Sequence, residues 1–163
     1  NQKVNKDTNG QFQINKIQEL EKMAEYLRLG EFDKLFTLVE VVNQSDPDQE
    51  YLKNAEKIFK YRYQLNKNNY YYLYKIAISQ ILQRKSIEAA ISLKEIMKYE
   101  KNNSNLYLAK SIVDIYNFNP RKADKNIQMA SKLNNDEKLI STINSIKMIS
   151  NFLNLKIINL INI

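Results

Sequence analysis

With no histidine and no cysteine in the chain, acid–base chemistry would fall to carboxylates, lysine or tyrosine. Disulfides, thiolate zinc sites and Cys or His nucleophile–base pairs are excluded by composition. The densest acidic stretch is Asp46, Asp48 and Glu50 around Pro47. It stands directly before a helical pattern, where capping and compensation of the helix dipole are its ordinary roles. Hard cations need more oxygen ligands than it offers. Glu88, Glu95, Asp114 and Asp124 stand singly, at spacings expected of solvated helix faces. No glycine-rich phosphate loop and no Gly-x-Ser-x-Gly elbow occurs. The expectation is a protein that is not an enzyme, with no cofactor, no metal and no small-molecule substrate.

Charge offers a second kind of chemistry. The chain is +7 overall. Residues 1–66 carry 10 basic and 11 acidic side chains, net −1, whereas residues 67–163 carry 15 and 7, net +8. A basic half attracts phosphate. Its lysines are nevertheless spread as ordinary surface residues, and the one tight cluster is Arg121, Lys122 and Lys125. Helical-repeat RNA readers specify bases with polar side chains at fixed positions in each repeat, and no such column is evident here. Nucleic acid is a disfavoured alternative.

The elements that would position any site come from a repeat. LNKNN at 65–69, YEKNN at 99–103 and LNNDE at 133–137 mark an interval of 34 residues. On that interval Ala55, Ala89 and Ala123 form one column and Phe59, Leu93 and Ile127 the next. Leu65, Tyr99 and Leu133 close each unit before an Asn-rich break. Small and large residues at i and i+4 share a helical face, and the small one lets a neighbouring helix approach closely. A second set of helices aligns Leu73 with Tyr107 and Ala77 with Ser111. Turns are expected at Lys85–Ser86 and Asn119–Pro120, with asparagine taking the left-handed conformation that stops each helix. Two glycines and two prolines in 163 residues leave long stretches unbroken. Helices are expected near 12–29, 31–44, 48–65, 70–84, 87–100, 104–118, 120–133 and 136–153.

This pattern resembles the tetratricopeptide repeat. The residues that carry the likeness are a small residue in the first helix (Ala77, Ser111), Ala early in the second (Ala89, Ala123), a large apolar residue four on (Leu93, Ile127) and Ile96 or Ala130 three further. Gly30 and Phe32 stand at a helix–helix turn upstream, followed by Asp46–Pro47, but out of phase with the later units; Arg62 occupies a column that should be small. The resemblance implies an all-α, right-handed superhelical array of antiparallel helix hairpins over residues 12–135. Residues 136–163 would form a capping helix and apolar tail. It also implies a protein–protein adaptor whose first helices line a concave groove, here Tyr71, Tyr74, Ile78 and Ile81, then Asn105, Leu108, Ile112 and Tyr116. At least one ring of Tyr70–Tyr71–Tyr72 and Tyr74 should be exposed, because successive helical positions point around more than one face. The carboxylate clamp of chaperone-tail receptors is absent: the matching positions read Tyr74, Ile78, Ala109 and Ile112, with Lys75 nearby.

The ends complete the picture. Residues 1–11 are polar and aperiodic, with an Asn9–Gly10 turn signal, and read as a flexible tether. Residue 1 is Asn and not Met, so a processed or truncated start is expected; an exported or membrane-tethered location fits it, with a cytoplasmic one as the alternative. No stretch is apolar enough for a membrane span. Leu139, Ile143, Ile146 and Ile149 share one face of the last helix, opposite Ser141, Asn144 and Asn151. The tail around Ile157, Ile158 and Ile161 either docks on the array or serves as a self-association surface and a route to a homo-oligomer.

Overall fold

The computed structural model describes residues 4–45, 49–134, 137, 140–146 and 148. They form seven helices: α1 (Val4–Leu29), α2 (Phe32–Ser45), α3 (Glu50–Leu65), α4 (Tyr71–Leu82), α5 (Ser86–Ile96), α6 (Ser104–Tyr116) and α7 (Pro120–Leu133). A further helical stretch covers 140–146. The protein is all-helical, with no strand among the described residues. No described helix is long and apolar enough to cross a membrane. Asp46 and Asp48, and the apolar tail with Ile157, Ile158 and Ile161, lie outside the described residues.

The chain divides into two compact units, residues 1–83 and 84–163. In the first, α1 packs against α2 and α4, and α4 against α3. Leu20, Met23, Ala24 and Leu27 recur at i, i+3, i+4 and i+7, which puts one stripe of α1 into the core with Phe59 of α3 and Leu73, Ala77 and Ile78 of α4. Lys75 of α4 reaches Glu21 of α1 at 2.7 Å, so the one lysine near the absent clamp is already engaged. In the second unit, α6 packs against both α5 and α7, around Leu93, Ile96, Leu106, Leu108, Val113 and Ile127. Ile143 and Ile146 are buried and Ser141 and Asn144 exposed, as the amphipathic pattern of the last helix requires.

The 34-residue interval is a period of the backbone as well as of residue types. Asn66, Glu100 and Asn134 each donate their amide to the carbonyl four residues back, on Arg62, Ile96 and Ala130, at 3.1, 3.1 and 3.2 Å. The following bond recurs too: Asn69 N to Asn66 O at 3.1 Å, and Asn103 N to Glu100 O at 3.4 Å. Positive φ falls at Arg84 (58°) and Phe118 (53°), again 34 apart, at Gly30 (72°) and at Gln49 (55°). At Gly30, Arg84 and Phe118 one residue separates it from the next helix, so the Gly30–Phe32 turn has the same form despite its different phase, whereas Gln49 directly precedes α3.

Several local expectations are corrected. Helix extends back to Val4 through residues read as a polar tether; a helix once nucleated propagates at little cost, and Gly10 subtracts only about 1 kcal/mol. Among the described residues, the asparagines of the breaks do not take the left-handed conformation, which falls at Gln49, Arg84 and Phe118 besides Gly30. They act at helix starts instead: Asn103 Oδ1 accepts from Asn105 N at 3.0 Å, and Asn119 Oδ1 from Lys122 N at 3.3 Å with Pro120 in the first turn. Leu65 and Tyr99, the unit-closing residues, are exposed, because the chain leaves the helix there and turns away from the core.

Ala55, Ala89 and Ala123 are 3%, 0% and 0% exposed, which places all three against neighbouring helices with no spare volume. Ala123→Arg should therefore cost at least ~3 kcal/mol through overpacking and an unpaired charge. Differential scanning calorimetry should show a midpoint lower by roughly 10 °C or more. A midpoint within a degree or two of the parent's would mean that this column does not sit at a helix contact.

Candidate functional site

The eight groove candidates divide by burial. Tyr74, Ile78 and Leu108 are at most 2% exposed and belong to the core, so they cannot meet a partner. Tyr71 and Tyr116 are exposed, while Ile81, Asn105 and Ile112 are half-buried. Four of the eight lie in the first unit and four in the second. Tyr71 stacks on Tyr70 with ring centroids 4.8 Å apart, so the exposed ring expected of the tyrosine run is Tyr71.

Buried polar side chains, unlike the tyrosines, are arranged by the repeat. In the first unit Glu56 of α3 is 4% exposed. Its carboxylate accepts from Gln80 Nε2 at 3.1 Å and from Gln83 Nε2 at 2.9 Å, and pairs with Lys60 Nζ at 2.6 Å. Gln83 Nε2 also donates to the carbonyl of Leu52 at 3.3 Å. Burial removes this carboxylate from water, and donors from both helices surround it, as a buried polar group requires.

The second unit repeats half of this arrangement. Asn117 stands 34 residues after Gln83, and Ser86 stands 34 after Leu52. Asn117 Nδ2 donates to the carbonyl of Ser86 at 3.2 Å, the same bond one period later. The Ser86 hydroxyl closes the pair by donating to Asn117 Oδ1. Asp114, one period after Gln80, is 3% exposed. It accepts from Lys110 Nζ at 2.9 and 3.0 Å and from Asn126 Nδ2 of α7 at 2.7 Å. Asp114 is thus not on a solvated face, as its sequence spacing suggests, but at the centre of a buried network. Glu88 is exposed, and Glu95 and Asp124 are half-buried.

Above this network lies a pocket of about 400 Å³, formed by α5, α6 and the start of α7. Its lining combines apolar Ile87, Ala90 and Ile91 with Lys94, Lys110, Lys122, Asp114, Asn117 and Asn119. Ile87 and Ile91 are 68% and 64% exposed, one helical turn apart. A second concavity, about 540 Å³, lies between α7 and the 140–146 stretch, but it gathers no buried polar side chain. The first combines an apolar wall with convergent polar groups.

The sequence carries only a faint signal for these residues: Gln80/Asp114 and Gln83/Asn117 are polar at both positions of the 34-residue interval, but α6 holds other polar residues that do not mark burial. No family model, curated protein or solved structure is found to match the chain.

The buried network has a measurable consequence. Asp114→Ala leaves Lys110 and Asn126 without their acceptor and should cost ~2 kcal/mol, lowering the thermal midpoint by roughly 5 °C. Glu88→Ala, on the exposed face of α5, should leave it within about 2 °C. Equal effects from the two substitutions would show that Asp114 is solvated after all.

Proposed function

We propose that this chain is a tetratricopeptide-like, non-enzymatic module that binds a polypeptide. The superhelical stacking of its hairpins and the adaptor role are parts of the same reading. It is supported by the recurrence of turn geometry and side-chain bonds at the family's interval. The observation that carries it is the pair Ile87 and Ile91, both largely exposed on α5 and both lining a pocket. Two exposed isoleucines on one face of an 11-residue helix leave apolar surface in water, which a partner would bury with gain. Lysines and asparagines around them supply the polar rim that such interfaces carry.

The groove first expected from α4 and α6 gives way to this one, because Tyr74, Ile78 and Leu108 are core. The site therefore uses a second helix, α5, together with the outer side of α6. Backbone hydrogen bonding contributes nothing to recognition at a helical surface, so side chains must supply both affinity and selectivity.

A phage-displayed library of random short peptides tests this directly. The purified protein should enrich a recognisable consensus containing apolar residues. The double variant Ile87→Ser/Ile91→Ser should bind the enriched peptides at least about tenfold more weakly while unfolding at the parent's temperature. Failure to enrich any peptide, or equal affinity in a stable double variant, would remove the polypeptide-binding reading.

A further inference from the structure

The two units differ at one position in a way that specifies the ligand. Moving each residue of the Glu56 cluster forward by 34 gives Ala90 for Glu56, Lys94 for Lys60, Asp114 for Gln80 and Asn117 for Gln83. All four of these residues line the pocket. In the first unit the corresponding place is filled by the chain's own carboxylate. In the second, alanine has replaced that side chain, while the cation and an amide that held it are retained.

We propose, building on the polypeptide-binding reading, that this pocket takes an Asp or Glu side chain of the bound polypeptide, in the position that Glu56 fills in the first unit, with an apolar neighbour on Ile87 and Ile91. Three features fit that occupant. The Asn117 amide nitrogen is fixed by the Ser86 carbonyl just as the Gln83 nitrogen is fixed by Leu52, and its second hydrogen remains for an acceptor. Three lysines line the pocket against one carboxylate, Asp114, whose charge is already met by Lys110 and whose oxygens accept from Lys110 and Asn126. Lys94 and Lys122 have no ion-pair partner among the described residues. The surplus positive charge is therefore on the two cations nearest solvent.

The apolar wall decides against a nucleic acid: a backbone phosphate would leave Ile87 and Ile91 uncovered. A single carboxylate carried beside an apolar side chain satisfies both walls of the pocket.

The test has an intramolecular and an intermolecular arm. Ala90→Glu should restore the missing carboxyl; carbon-13 NMR should find it titrating below the ordinary Glu range, and the variant should melt no lower than Ala90→Gln. A normal titration, or a midpoint well below that of Ala90→Gln, would show that the pocket does not hold a carboxylate. For the second arm, peptides enriched on the parent should carry Asp or Glu beside an apolar residue. Replacing that residue by Asn or Gln should weaken binding to the parent at least about fivefold, yet change binding to the Lys94→Gln variant by less than about twofold, the non-additivity expected of a direct contact. Enriched peptides with no acidic preference, or additive losses, would overturn the carboxylate assignment and leave polypeptide binding standing. Tighter binding of single-stranded RNA than of any peptide, lost in Lys94→Gln, would overturn both.

Discussion

Two helices can lie close together only where the facing side chains are small, and every other feature of this fold depends on meeting that condition at a fixed interval. Ala55, Ala89 and Ala123 meet it on the second helices, and Ala77 and Ser111 on the first. Each is so short that the neighbouring helix occupies the space a longer side chain would need. Phe59, Leu93 and Ile127, one turn further, then fill the volume beside the contact. Because the contact fixes the separation, it also fixes which side chains at the margins can reach across. The amides of Gln83 and Asn117 reach the carbonyls of Leu52 and Ser86 at 3.3 and 3.2 Å, one period apart. A change in helix spacing of a fraction of an ångström would break both bonds.

This dependence explains what could be read from the residues. The Ala and large-apolar columns are periodic and chemically unambiguous, so the helices, their order and the turns at Ser86 and Pro120 followed from them. Burial of charged and polar side chains did not follow. Asp114 looks like any surface acid along its own helix, since its neighbours at 110 and 117 are polar. What buries it is Asn126, which comes from α7 and becomes a neighbour only through packing. Tyr74 failed in the opposite direction: a tyrosine in a run of four rings reads as a surface anchor, yet α4 is covered closely enough to bury it while leaving Tyr71 outside. The start of α1 was not legible for a third reason: polar composition does not by itself end a helix that is already nucleated.

Polar residues in a packed helix array are costly unless they are partnered, and the two units partner their buried carboxylates differently, with Gln83 Oε1 of the first left without a partner. In the first, the carboxylate is on the second-type helix, as Glu56, and the amides are on α4 as Gln80 and Gln83. In the second, the carboxylate has moved across the contact to α6, as Asp114, and draws its donors from its own helix and from α7. The move leaves α5 without a charge to bury, so position 90 can shrink to alanine. It also releases Lys94 from the pairing that Lys60 makes with Glu56. An open pocket beside Lys94, unpaired among the described residues, is thus the consequence of carrying the buried carboxylate on α6 and not on α5. The same relocation leaves Ile87 and Ile91 on the rim, where their exposure is tolerable only beside a polar surround or under a partner. Both units bury a carboxylate among donors, and in the second the place that Glu56 occupies in the first is left to Ala90 at the edge of a pocket.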